Sequence, residues 1–129
     1  MGKKKKVSES KFLDVIVDAI FEKKGEHVLK INLIKIENAV CRHFIICDAD
    51  SANQVGAIAD AVVRKARTIL GERPWHVEGR NNADWILIDY VDVVIHVFFN
   101  RVRKFYNLES LWADAEKIEL SDPCNKRIK

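Results

Sequence analysis

Two aspartates, Asp48 and Asp50, follow a run of apolar residues and precede a stretch with a helical pattern. Paired carboxylates in this position are typical of enzymes that hold Mg²⁺ while they transfer a nucleotide. Such enzymes also need a glycine-rich or lysine-bearing loop for the phosphates, and no Gly or Lys lies between Asp50 and Gly56. Acidic residues near a helix start also stabilise the helix dipole. A magnesium-dependent nucleotidyltransferase-like enzyme therefore stays an alternative.

Cys41, His43 and Cys47 are separated by even numbers of residues, so in a strand they would share a face. At about 3.3 Å per residue the two cysteines would lie roughly 20 Å apart, whereas ligands of one zinc ion lie within about 4 Å of each other. We therefore predict no metal and no cofactor. A third cysteine, Cys124, makes the total odd, which favours reduced thiols and a cytoplasmic location.

The most hydrophobic part of the chain consists of two runs, residues 85–89 and 93–98, with three residues between them. This spacing predicts a tight β-hairpin. Both alternating sets of positions are apolar, so neither face of the hairpin suits water. Trp85 beside Asp89 and Asp92 has the composition of an interface centre. The two carboxylates either contact a basic partner or stabilise the turn, and both interpretations stay open.

Size and charge indicate one globular domain. The chain has 129 residues, 48% of them hydrophobic, and no apolar run long enough to cross a membrane. The net charge is +3, but Lys3–Lys6 alone carry four positive charges, so the rest is nearly neutral and lacks the basic face of a dedicated nucleic-acid binder. We predict a disordered basic tail at residues 1–7, a domain at 8–112 and a flexible tail at 113–129.

Two amphipathic helices are expected, each begun by a serine cap and ended by a glycine. The predicted elements are a helix from Ser8 or Ser10 to Gly25, strands at 29–33 and 41–47, a helix from Ser51 to Gly71, strands at 75–78, 85–89 and 93–98, and a short helix capped by Asn100. So few helices cannot cover both faces of a sheet of about five strands. We predict a single-domain α/β fold with a mixed sheet, helices mainly on one face, and apolar surface left partly bare around Trp85. The alternative is that the last helix and the tail cover that face.

Four segments of the chain carry a resemblance to a known family. They are 54–60 (Gln-Val-Gly-Ala-Ile-Ala-Asp), 77–79 (Val-Glu-Gly), the long block 84–98 from Asp84 through Trp85 to Phe98, and Phe105-Tyr106 with Leu108 to Trp112. Together and in this order they resemble the ribosomal silencing factor family, also called Iojap, over residues 12–112. An ordered set of motifs is far more specific than any one of them.

The resemblance implies a nucleotidyltransferase-like fold without a catalytic site, and therefore a binding protein and not an enzyme. It implies binding to the large ribosomal subunit through ribosomal protein uL14, a steric block of association with the small subunit, and repression of translation under nutrient limitation. It leaves open whether Lys3–Lys6 touch ribosomal RNA and whether the free protein is a homodimer. The contact surface that it implies on this chain is Trp85, Leu87, Asp89, Tyr90, Asp92 and Val93.

Three places depart from the family pattern. Cys41-Arg42 stands where Thr-Asp is usual, Asn53 where Arg is usual, and Val91 where the hairpin turn usually has Gly. The first two put in doubt a binding role for their region. Val91 matters more, because a β-branched residue rarely adopts φ > 0. We therefore expect the turn to use another geometry or to shift the flanking carboxylates.

Overall fold

A computed structural model describes residues 8–39, 41–81, 84–107, 110 and 113–121. The predicted basic tail at 1–7 and the motif residues Leu108 and Trp112 lie outside these residues. Among the described residues, no helix is long and apolar enough to cross a membrane. The elements are α1 (Glu9–Glu22), β1 (Glu26–Asn32), β2 (His43–Ala49), α2 (Ala52–Lys65) followed by a π-helical turn (Ala66–Leu70), β3 (His76–Glu78), β4 (Trp85–Asp89), β5 (Val93–Phe99), α3 (Asn100–Tyr106) and β6 (Glu116–Leu120).

The strands form one mixed sheet in the order β3-β4-β5-β2-β1-β6. The β2–β5 pair is parallel and the other four pairs are antiparallel. The α/β prediction is confirmed, and the hairpin predicted from the two apolar runs is β4–β5. The hairpin lies inside the sheet, because β3 pairs with the outer edge of β4.

The sixth strand corrects the sequence analysis. We expected five strands and a flexible tail from residue 113, but β6 pairs with β1 from Asn32 opposite Glu116 to Val28 opposite Leu120. Its sequence, Glu-Lys-Ile-Glu-Leu, has only two apolar residues, so its alternation is short. Backbone hydrogen bonds to β1 hold such an edge strand without a strong side-chain pattern. For Glu116–Leu120 the prediction of a flexible tail was therefore wrong.

The predicted starts of the two long helices are confirmed. Ser8 Oγ accepts a hydrogen bond from the Lys11 amide at 3.1 Å, and Ser51 Oγ accepts one from the Gln54 amide at 3.1 Å. Ser51 and Gln54 have the spacing of a capping box, but the Gln54 side chain does not close it. Its Nε2 donates to the Lys23 and Lys24 carbonyls at the end of α1. It therefore ties the start of α2 to the end of α1.

The start of α3 differs from the expectation. We predicted Asn100 as its cap, but Phe99 is the N-cap residue, without a side-chain hydrogen bond, and Asn100 is the first helical residue. The chain passes directly from β5 into α3, so packing of the strand sets the position of the helix start.

The sheet separates two apolar clusters. On one face, which we call the helix face, α1 and α2 cover strand residues such as Ile45, Ile95 and Val97, all with no exposed surface. On the other, which we call the second face, the loop after β1, Val102 of α3 and Ala115 pack on the strands. Helices lie mainly on one face, as predicted.

Candidate functional site

Strand β4 presents alternate residues to the two faces. Ile86 and Ile88 point to the helix face and are 1% and 0% exposed. Trp85 and Leu87 point to the second face and are half-buried. The alternation expected for the hairpin is therefore confirmed. The side chains of β4 that are partly accessible are on the face that carries Trp85.

The Trp85 side chain is fixed by two aromatic neighbours on β5. Its Nε1 donates a hydrogen bond to Nδ1 of His96 at 3.1 Å, and its ring stacks on Phe98 with the centroids 4.9 Å apart. His96 is 4% exposed, and burial lowers the pKa of its imidazole to about 4. The ring is therefore neutral near pH 7 and can accept the indole proton. The sequence analysis gave His96 no role. Its hydrogen bond to Trp85 joins two strands, and the sequence alone does not show which residues of two strands meet.

Gly79 follows β3 and shapes the start of β4. Its φ is +92°, and a Cβ at this position would clash with the carbonyl oxygen of Trp85. Only glycine permits both the left-handed conformation and the close approach of the two backbones. This requirement explains the glycine of the Val-Glu-Gly motif and places Trp85 at its register opposite Phe98.

The hairpin turn has an unusual geometry. Val91 adopts φ +78°, so the turn does not avoid a positive φ at this residue. A shift of the flanking carboxylates, the other expectation, stays a prediction. The amide of Asp92 donates to the Tyr90 carbonyl at 2.9 Å, which makes Val91 the centre of a γ-turn. The Val91 amide donates to Oδ1 of Asp89 at 2.7 Å, and the Tyr90 amide donates to the Val93 carbonyl at 2.9 Å. These bonds hold the strained valine, so Asp89 has a role within the turn.

Two of the six predicted contact residues lie on the helix face. The Tyr90 ring contacts Phe12 of α1 edge to face, with the centroids 5.0 Å apart, and burial raises the pKa of its hydroxyl to about 12. Val93 is 2% exposed within the helix-face cluster and cannot reach a partner. Both residues came from the family resemblance, which does not show to which face a side chain points after a turn. Of the predicted contact residues, Asp92 is exposed, Trp85, Leu87 and Asp89 are half-buried, and Tyr90 is half-buried against the helix-face cluster.

Trp75 is an accessible residue that the sequence analysis did not single out. It is 74% exposed, and its amide donates to the Asp89 carbonyl at 2.7 Å. It therefore lies beside the hairpin turn, at the edge of the sheet. The signal in the sequence was the preceding Pro74, since proline is confined to sheet edges and strand starts.

The two aspartates of the nucleotidyltransferase alternative do not form a paired site. Asp48 is 3% exposed, and its carboxylate contacts Nδ1 of His27 at 3.0 Å and Nη1 of Arg103 at 3.0 Å, whereas Asp50 is exposed. Potential ligand atoms of Glu26, His27 and Asp48 lie within 4.8 Å of one another. Arg103 already supplies the positive charge that the buried carboxylate needs. The group thus joins β1, β2 and α3, and the geometry gives no support to the alternative.

The cysteines and the nearby histidine are also dispersed. Cys47 is completely buried, and burial raises its pKa to about 12, while the pKa of Cys41 is raised to about 11 for the same reason. Thiols with such values are not nucleophiles at neutral pH. His43 lies on the helix face, with its Nε2 3.4 Å from Glu9. The three residues do not converge on one point.

Arg42, one of the departures from the family pattern, has a structural contact. Its Nε donates to Oε2 of Glu9 at 2.7 Å, and this hydrogen bond lowers the pKa of the Glu9 carboxyl. It links the start of β2 to the first turn of α1. Asn53 is exposed in the first turn of α2.

Comparison with known proteins identifies one family. The family model described as "Ribosomal silencing factor during starvation" matches residues 6–129. A ribosomal silencing factor of Halalkalibacterium halodurans is 40% identical over 114 residues, 88% of this chain and 96% of the relative. The Bacillus subtilis ribosomal silencing factor is 34% identical, over 93% of this chain and all of the relative. A crystal structure of a Chromobacterium violaceum protein superposes with a TM-score of 0.78 at 28% identity, covering 83% of this chain and 88% of that one.

Proposed function

The chain belongs to the ribosomal silencing factor family, and on this premise we propose that it binds the large ribosomal subunit through ribosomal protein uL14. The bound protein blocks association with the small subunit and so represses translation under nutrient limitation. It acts by occupying a surface and not by catalysis. The extent of the block is then set by the concentration of the protein and by its affinity for the large subunit.

The accessible side of β4 supports this proposal. Trp85 and Leu87 lie on the same face of the strand, half-buried, with Asp89 and Asp92 at the end of the hairpin. An aromatic and an aliphatic side chain inside a rim of carboxylates match the composition of an interface centre that meets a basic partner. About 800 Å² per partner would be an ordinary interface.

The tryptophan is already ordered before binding. Its indole is hydrogen-bonded to His96 and stacked on Phe98. Little side-chain entropy is therefore lost when a partner covers the ring, and this preorganisation favours affinity. The single observation that carries the proposal is this fixed, half-buried tryptophan on the face that the long helices do not cover.

The remaining expectations are also part of the proposal. The protein works in the cytoplasm, where ribosomes assemble, and Lys3–Lys6 make a minor contact with ribosomal RNA. The free protein forms a homodimer through the same second face, so that dimer formation and ribosome binding compete.

Sedimentation with separated ribosomal subunits tests the proposal. The wild-type protein is expected to pellet with large subunits and not with small ones. Trp85→Ala should lose roughly 2 kcal/mol of binding, about thirtyfold in Kd. Phe21→Ala is the matched control, because Phe21 is a half-buried aromatic residue on the helix face. Thermal melts of both variants must show that they fold.

Two results would contradict the proposal. One is equal pelleting of the protein with both subunits or with neither. The other is a Trp85→Ala variant that pellets as well as the wild type. Light scattering of mixed subunits then measures the block: added protein should lower the extent of joining when it is incubated with the large subunit first.

A further inference from the structure

A cavity lies between the end of α2 and the start of β3. It is lined by Val63, Arg67, Arg73 and Pro74 and has a volume of about 360 Å³. Arg67 belongs to the π-helical turn that ends α2, and Arg73 to the segment that leads into β3. The fold thus brings two guanidinium groups to one concave surface.

The charge around this cavity differs from that of the rest of the domain. Five basic and two acidic residues lie between positions 64 and 80. Lys65 and Arg80 are paired with Glu22 and Asp60. Among the described residues, by contrast, neither arginine that lines the cavity has a carboxylate within salt-bridge distance. Their charges are therefore available to an anion, and a guanidinium binds phosphate oxygens in a bidentate manner.

An exposed aromatic residue follows the cavity-lining Pro74 in the chain. Trp75 follows Pro74, which lines the cavity, and is 74% exposed. A large exposed indole has no role in the core of this domain. An exposed indole two residues after Arg73 provides a flat surface on which an unpaired base stacks, and such stacking tolerates any base.

From this arrangement we propose that the surface of Arg67, Arg73 and Trp75 binds single-stranded RNA. The two arginines contact consecutive phosphates, and a base stacks on the indole of Trp75. The Trp75 amide is hydrogen-bonded to the Asp89 carbonyl, so this surface adjoins the hairpin proposed to bind protein. The inference rests on the proposed function in one respect, the identity of the RNA. A ribosomal partner presents protein and RNA side by side, so the RNA would be ribosomal.

Binding to RNA alone tests the proposal without ribosomes. The probe is a fluorescein-labelled single-stranded RNA of about 12 nucleotides, and anisotropy is measured with the full chain over a range of salt concentrations. Trp75→Ala should weaken binding about tenfold. Arg67→Gln with Arg73→Gln should weaken it further and reduce the slope of log affinity against log salt by about one to two.

Two control variants make the result specific. Lys11→Gln with Arg101→Gln removes the same charge from exposed positions elsewhere and should change affinity less than about threefold. A variant with Lys3–Lys6 changed to Gln measures the contribution of the basic tail. The proposal is overturned if the Lys11→Gln, Arg101→Gln variant loses as much affinity for RNA as the Arg67→Gln, Arg73→Gln variant. It is also overturned if the tail variant alone abolishes binding while Trp75→Ala changes nothing.

The same variants separate this inference from the proposed function. If Trp75→Ala loses RNA binding but still sediments with large subunits, the RNA contact is supported. Its contribution to ribosome binding is then smaller than that of the hairpin. Normal RNA binding by Trp85→Ala together with lost sedimentation supports both proposals. If no variant binds RNA differently from the wild type, the RNA contact is wrong, and the hairpin proposal is judged on sedimentation alone.

Discussion

The two faces of the sheet are built from alternate residues of the same strands, yet they lie in different surroundings. Ile88 lies under the helices with no exposed surface, while its neighbour Leu87 is half-buried on the second face. The helix face has two amphipathic helices as its cover. The second face has a loop, a short helix and Ala115.

Under the proposed function, this difference gives stability to one face and binding to the other. The helix face holds most of the fully buried aliphatic side chains, so it provides most of the hydrophobic free energy of folding. The second face orders its aromatic residues among themselves but leaves Trp85 and Leu87 partly in contact with solvent. We expect substitutions on the two faces to separate stability from binding.

The largest effect on stability should come from Ile88→Ala, and its neighbour on β4, Leu87, provides the comparison. Ile88→Ala should lower the free energy of unfolding by about 3 kcal/mol, because it leaves a cavity under the helices. Leu87→Ala should cost only about 1 kcal/mol, since part of its surface is already solvated. Urea denaturation of both variants measures the difference. Equal losses would mean that the second face is as closed as the helix face.

Acid should destabilise the protein in part through the second face, in addition to the effect of His43, whose pKa is also lowered by burial. The pKa of His96 is about 4 in the folded protein and near 6.5 when unfolded, so the unfolded state binds more protons between these values. Stability should therefore fall as the pH drops below about 6.5, by up to ~1.4 kcal/mol per pH unit. His96→Asn keeps an acceptor for Trp85 and should flatten this slope by about 1 kcal/mol per unit. Identical slopes for both proteins, measured by urea denaturation, would exclude His96 as the cause.

The hairpin turn offers a stabilising substitution. Val91→Gly should raise the free energy of unfolding by about 1 kcal/mol, because glycine adopts a positive φ without steric cost. Val91→Ala is the control, since alanine loses the branched side chain but keeps most of the strain. Thermal and urea unfolding measure both. A less stable glycine variant would show that contacts of the valine side chain outweigh the strain.

The smallest effect concerns the carboxylates of the hairpin. Asp89→Asn with Asp92→Asn removes two charges, while the amide oxygen introduced in place of the Asp89 carboxylate can still accept the hydrogen bond of the Val91 amide. Association with large subunits should slow several-fold at low salt and recover at high salt. Asp14→Asn with Asp18→Asn on the exposed side of α1 is the matched control. If both pairs leave the association rate unchanged, the hairpin carboxylates act only within the turn.

Much of the fold follows from local signals in the sequence. The caps at Ser8 and Ser51, the stop at Gly71 and the two apolar runs placed the long helices and the hairpin. Each of these signals acts within a few residues, where backbone propensity and periodicity decide the conformation. The same patterns also indicated the shortage of helical cover on the second face.

Contacts between distant residues could not be predicted in this way. His27 and Arg103 lie 76 positions apart, yet the arginine donates to the His27 carbonyl and to Asp48. Strand β6 depends on pairing with β1 more than on its own composition. Tyr90 was assigned to the binding surface because the block resembled the family motif, but the turn directs its ring to α1.

One comparison tests the central claim that the second face is the docking surface. Leu87→Arg adds a positive charge at the half-buried position beside Trp85, and Ser10→Arg adds the same charge at an exposed position of α1. In sedimentation with purified large subunits, folded Leu87→Arg should bind at least about tenfold more weakly than the wild type, and Ser10→Arg should bind as the wild type does. Equal binding by both variants would contradict the claim.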